Sequence, residues 1–395
     1  MATTMVFRGG TVVTPFRIEK VDVVVSDGVI RELRPQGPAR KGEKAVDCGG
    51  LYVGPGLVDL HVHGGGGHDF ASDDPADIAG GADYHLSQGA TSITPSALSI
   101  PFVELDRAIR ATRKAVKKTR ARILGYHVEG VYLDMLYRGG HLAQHVHDPL
   151  VSEYLPLIET HGDFITEWTL APELPGALDL IAACRKAGIV VSGGHTRATY
   201  EQFMAAVEAG MTHTTHYACC MGAMRFEVLR PDLTTGKGYA PGVLETVLLQ
   251  DQVTTEVICD GFHLHPALVQ LVLKSKGPAR TCLVSDTVFG VGMPEGEIVV
   301  GDQPTILKNG IAIIKDRPDA IASSMTPLSG MLRIAHQRMG VPLAWAWEMA
   351  SATPARVLGF SDQCGALAPG RAADILTLDK DLAVRGVYVG GEKVA

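Results

Sequence analysis

The 395-residue chain has no run of 18 apolar residues, no Cys-X-X-Cys pair and no block of like charge. The first absence excludes a helical membrane span, which needs roughly 20 apolar residues. The second removes a common thiol-redox and zinc-ribbon signature. The third, with a net charge of −7 spread along the chain, leaves no basic surface for nucleic acid. Residues 1–10 also lack the charged start, apolar core and small-residue cleavage site of a leader. A soluble cytoplasmic protein is expected, with no membrane or nucleic-acid partner. The seven cysteines are odd in number and sit mostly inside apolar runs, as free thiols of a reducing compartment do.

What is present reads as an ordinary globular chain, 46% hydrophobic and 20% charged. Its length suits one large α/β domain with a small satellite. Short strand-like runs at 5–8, 10–14, 21–26, 29–33 and 51–53, and again at 373–378, 383–389 and 392–394, are broken by Gly and Pro. Strands from both termini are expected to complete one discontinuous β-sandwich domain, residues 1–53 and 362–395. Between them, strands predicted at 57–61, 92–95, 123–128, 164–170, 189–192, 213–215, 255–258, 281–285 and 320–322 alternate with helices at 75–88, 101–118, 177–187, 200–209, 266–274, 327–339 and 342–351. Prolines stand at or near five of those helix starts, where a missing N–H costs nothing. The architecture this alternation predicts is a parallel (β/α)8 TIM-type barrel over 54–361.

In such a barrel the active site is built where the strands end. The first strand runs through Gly56-Leu57-Val58-Asp59-Leu60-His61-Val62-His63, and alternation puts His61 and His63 on one face, able to grip one transition-metal ion. Later strands end in His127-Val128-Glu129-Gly130, Gly193-Gly194-His195, Thr215-His216, Asp260-Gly261-Phe262-His263 and Ser285-Asp286. One histidine at a strand end is more often a rim residue than a ligand. Five such histidines with Glu129 and Asp286 at successive rims point to a metal centre.

These motifs, with Ala352-Thr353-Pro354-Ala355 and the run Gly365 to Asp374, resemble the amidohydrolase superfamily, and within it the N-acetylglucosamine-6-phosphate deacetylases. The resemblance covers nearly the whole chain, with the motifs in the family's order. It implies a metal held by Glu129, His195 and His216, with Asp286 as the catalytic carboxylate. Because His61 and His63 are intact, one or two divalent ions per subunit are implied, two being the expectation. Zinc is the expected metal, with iron or another transition metal as alternatives. His263 and His141 match family residues that contact the substrate, and a homodimer is implied.

The sequence departs from the family where the sugar phosphate is held. An aromatic-Asn-Ala-Met run is replaced by Tyr217-Ala218-Cys219-Cys220-Met221, and thiols cannot supply an amide's hydrogen bonds. Cys219 and Cys220 are expected to line a more apolar pocket. Arg197 and Arg225 are the cations able to take over an anionic group. The expected function is metal-dependent removal of an N-acetyl group from an amino sugar, N-acetylglucosamine 6-phosphate or a close relative. The alternatives are a deacylase or cyclic-amide hydrolase for a non-phosphorylated or carboxylate-bearing substrate and, from another class, an inactive amidohydrolase-like oligomeric scaffold. His68, His145, His147 and His265 are read as rim residues.

Overall fold

The computed structural model describes residues 4–14, 17–227, 237–301, 303–317 and 321–395. Eight short strands form its centre: β1 (Leu57–Val62), β2 (Ala90–Ala97), β3 (Tyr126–Glu129), β4 (Ile165–Leu170), β5 (Val190–Gly193), β6 (His213–Thr214), β7 (Thr255–Val257) and β8 (Thr281–Leu283). Each of β1 to β5 pairs in parallel with the next, and β7 pairs in parallel with β8. Backbone bonds close the ring: Thr214 N–H to Thr254 O at 3.0 Å joins β6 to β7, and Asp286 N–H to His61 O at 3.0 Å joins β8 to β1. All six residues of β1 are buried, as a strand covered on both faces requires.

Helices α1 (Pro75–Ser87), α2 (Phe102–Ala115), α3 (Val151–His161), α4 (Ala177–Ala187), α5 (Tyr200–Ala209), α6 (Val243–Leu249) and α7 (Pro266–Lys276) follow β1 to β7 in turn, and α8 (Leu328–Met339) follows β8 after an insertion. Their starts are written in the sequence. Asp74 caps α1, whose first residue is Pro75, and Thr199 with Gln202 forms a reciprocal capping box on α5. Helices α3 and α6 escape the periodicity reading. The first carries Pro156 inside it, and the second spans only seven residues.

One expected barrel strand is elsewhere. Residue 320 lies outside the described residues, and Ile321–Ser324 pairs antiparallel with Ile311–Ile314. It is the edge of a four-stranded antiparallel sheet with Gly296–Val300 and Gln303–Lys308, inserted after β8. Period-two apolar patterning does not distinguish a parallel barrel strand from a hairpin strand. The neighbouring hairpin is readable: between Gln303–Lys308 and Ile311–Ile314, Asn309 and Gly310 both have positive φ, 54° and 82°, as an Asn-Gly hairpin demands. This sheet packs Val300, Leu307 and Ala312 on Val288, roofing the C-terminal ends of the barrel strands.

Strands from both ends of the chain share one sheet, in the order Glu392–Lys393, Val384–Val389, Ile375–Leu378, Tyr52–Pro55, Thr11–Thr14, Arg17–Glu19. A second sheet, of Val29–Pro35, Val21–Ser26, Thr4–Arg8 and Glu43–Asp47, lies against it around Phe7, Ile30, Val53 and Tyr388. Among the described residues no helix is long and apolar enough to cross a membrane. All seven cysteines are free, five of them buried.

The barrel core is pinned to the sheet strand Tyr52–Pro55 by Trp347 of α9 (Leu343–Met349). Its ring is 1% exposed, its indole N–H donates to Pro55 O at 2.9 Å, and a Cβ on Gly54 would collide with it. Trp347→Ala is expected to cost about 3–5 kcal/mol, read as a lower urea midpoint at unchanged slope.

Candidate metal centre

The strand ends converge as the barrel dictates. Alternation along β1 turns His61 and His63 inward, and their Nε2 atoms lie 3.2 Å apart. Glu129, at the end of β3, is 2% exposed and central. Its Oε1 is 3.2 Å from His195 Nε2, 3.0 Å from His216 Nε2 and 3.4 Å from His61 Nε2. Its Oε2 is 3.3 Å from His63 Nε2 and 3.4 Å from His141 Nε2. Asp286, just past β8, places Oδ1 3.2 Å from His63 Nε2 and 3.6 Å from His61 Nε2. His195 and Asp286 both have left-handed backbones, φ 48° and 46°, conformations a non-glycine residue adopts only where its surroundings hold it.

The other ring nitrogens settle the tautomers. Nδ1 of His63, His195 and His216 faces the carbonyls of Ser96 (3.2 Å), Tyr137 (2.9 Å) and Cys219 (3.2 Å), and that of His61 faces Glu256 Oε2 (2.9 Å). Carbonyl and carboxylate oxygens only accept, so each Nδ1 carries the proton and each Nε2 presents a lone pair. Four lone pairs and two carboxylates therefore face one another in a dry space. A divalent cation satisfies all of them at once, and the groups His61, His63, Glu129 and Glu129, His141, His195 have the convergence to hold one. Without an ion the rings take up protons, and their charge, led by His61, outweighs the burial that opposes ionisation of Glu129 and holds its carboxyl well below its usual range. Asp286 is lowered in the same way, burial being overcome by His61 and His63.

His141 is different. Its Nδ1 accepts the backbone N–H of Ser99 at 3.0 Å, so the proton sits on Nε2, which points at Glu129 as a donor. Burial first, and the charge of His195 next, push its pKa down to about 4. A neutral ring with an inward N–H suits a carbonyl oxygen better than a cation. His263 Nδ1 is held by Asp260 Oδ2 at 2.7 Å.

These residues line a cavity of about 660 Å³ together with Cys219 and Cys220. Its far wall comes from the inserted sheet, where Val300, Ile314 and Ile321 stand with the polar Gln303 and Thr305. The two arginines expected to reach a substrate are not among the lining residues. Arg197 pairs with Asp134 at 2.7 Å, and Arg225 stands on a two-stranded ribbon with Gly238–Ala240. Of the rim histidines, His68 binds Asp77 at 2.7 Å and His265 caps α7. Sequence reading passed over Glu256 on β7, although a lone acid in the run Thr255-Glu256-Val257-Ile258 is an available signal.

Comparison with known proteins places this arrangement. A sequence model of the amidohydrolase family matches residues 52–394. The chain is 31% identical over 382 residues to an N-acetylglucosamine-6-phosphate deacetylase of Vibrio furnissii, covering 95% of this chain and 91% of that one. It is 28% identical to an N-acetylgalactosamine-6-phosphate deacetylase of Escherichia coli O157:H7, covering 93% of each. Among solved structures it superposes, with a TM-score of 0.88, 29% identity and 99% coverage of both chains, on the D267A mutant of an N-acetyl-D-glucosamine-6-phosphate deacetylase from Mycobacterium smegmatis in complex with N-acetyl-D-glucosamine-6-phosphate.

If the converging lone pairs bind a cation, chelation must cost stability. An ion present at about a thousand times its dissociation constant adds about 4 kcal/mol. Thermal unfolding of metal-loaded protein with and without a chelator is expected to show a midpoint several degrees lower without metal; an unmoved midpoint would argue against cation binding.

Proposed function

Because this chain belongs to the amidohydrolase family, we propose that it is a metal-dependent hydrolase that removes the N-acetyl group of an amino sugar, N-acetylglucosamine 6-phosphate or a close relative. The observation that carries this reading is the ring of inward Nε2 lone pairs around Glu129, with Asp286 beside it. An inactive scaffold has no use for so costly a buried arrangement.

In this proposal Glu129, His195 and His216 would hold one ion, and His61 and His63 would hold a second. Zinc fits the set of imidazole and carboxylate ligands. When bound, the ions supply Lewis acidity and bring the pKa of water towards neutrality. Asp286, whose Oδ1 lies beside His63 at the edge of the centre, accepts the proton of the attacking water and returns it to the departing amine. His141 donates its Nε2–H to the acyl oxygen, a role its tautomer permits without any change of protonation. His263, oriented by Asp260, is placed to contact the sugar.

Cys219 and Cys220 lie on the substrate side of the cavity. A second reading, a non-phosphorylated N-acyl substrate, is favoured by the commitment of Arg197 to Asp134 and by the lining of the cavity, which includes no lysine or arginine among the described residues. The same two observations count against a carboxylate-bearing one. A homodimer acting in the cytoplasm belongs to the same proposal and rests on the family resemblance.

The test is acetate release by zinc-loaded protein from N-acetylglucosamine with and without the 6-phosphate. Faster release from the phosphate ester is expected. The reverse order would establish the second reading, and no release from either would sink both. Asp286→Asn is expected to keep its metal content and lose about 10²–10⁴-fold in kcat; metal analysis beside the kinetics checks it.

A further inference from the structure

Three of the four inward-facing imidazoles lean on backbone carbonyls, and His61 alone among them leans on a carboxylate. Glu256 Oε2 lies 2.9 Å from His61 Nδ1, and the same oxygen accepts the backbone N–H of His216 at 2.9 Å. One oxygen thus fixes a ring in the His61/His63 half of the centre and the main chain in the His195/His216 half. The side chain is fully buried.

Its other oxygen has no hydrogen-bond partner. That oxygen faces His213 Nε2 at 3.6 Å, and Glu167 completes a buried group of three whose ligand atoms lie within 4.8 Å of one another. At that distance His213 makes no hydrogen bond to Glu256, and its Nδ1 is directed to Thr254 Oγ1 at 2.6 Å. A carboxylate placed in the barrel interior at such cost needs a compensating cation. The nearest route to one runs through the His61 ring, whose Nε2 becomes more basic when its Nδ1–H is held by a carboxylate.

We propose that Glu256 is a positioning residue that sets the affinity of the His61/His63 pair for the second divalent ion, acting through its charge. This rests on the two-ion reading above and extends it to a residue outside the ligand set. Because both hydrogen bonds fall on one oxygen, Glu256→Gln can keep them both, with its amide oxygen at that position and its NH₂ facing His213 and Glu167. The substitution therefore removes charge while retaining geometry, which separates this role from a merely structural one.

The experiment is zinc titration against a chromophoric chelator, with zinc content measured on the purified proteins. The wild type is expected to hold two ions. Glu256→Gln is expected to keep one and to bind the second about 10–100-fold more weakly, while Glu256→Asp, which retains the charge, lies between them. Two ions held by Glu256→Gln at wild-type affinity, or both weakened equally, would overturn the proposal. If Glu256→Gln does not fold, Glu256→Asp decides: retention of its second zinc supports a charge effect and loss overturns it. A wild type with a single zinc overturns the proposal and the two-ion reading together. Acetate release, measured separately, reports on the deacetylase reading whatever the zinc count.

Discussion

The interaction on which the rest depends is that between the Glu129 carboxylate and the imidazoles around it. Both oxygens are buried and both are engaged, Oε1 by His195, His216 and His61 and Oε2 by His63 and His141. Without a cation these contacts set lone pairs against negative oxygens, and only protonation of the rings relieves them. Burial of this kind is costly in any fold. The protein tolerates it because each ring is fixed from behind, by Ser96, Tyr137, Cys219 and Glu256, before any ion arrives.

The barrel makes this possible by bringing strand ends far apart in sequence to one rim. His61 and Asp286 are joined by a backbone bond across the closure of the ring, so the two ends of the site cannot drift independently. That much was legible in the chain. A histidine pair two apart on an apolar strand, and Glu, His, His and Asp at later strand ends, carry their own positions once a parallel barrel is assumed. The barrel strands were legible for the same reason, as short runs that mostly alternate with helices whose starts are readable.

What was not legible has physical causes. The strand at Ile321–Ser324 has the patterning of a barrel strand and is told apart only by its antiparallel pairing with Ile311–Ile314. Helix α3 hides behind an internal proline. Glu256 looks like a misplaced acid until its neighbours across the barrel are known, because its partners lie 195 and 40 residues away. The tautomer of His141 follows from one backbone N–H, a contact that no spacing rule contains.

Arg197 shows how sequence proximity misleads. Two residues after His195, it invites a role in binding an anionic substrate. An unneutralised guanidinium there would also raise the local positive potential beside the cation site and oppose loading of the ion. Asp134 removes that conflict: it binds Arg197 at 2.7 Å and its backbone N–H donates to His195 O at 3.0 Å. Glu173 adds to the restraint by accepting the backbone N–H of Arg197 at 2.7 Å. The loop after β5 is thus anchored by acids on the side away from Glu129, which leaves His195 free to turn its ring inward. The charge of Arg197 is spent on holding the loop that carries His195, and its side chain is not among the residues that line the cavity.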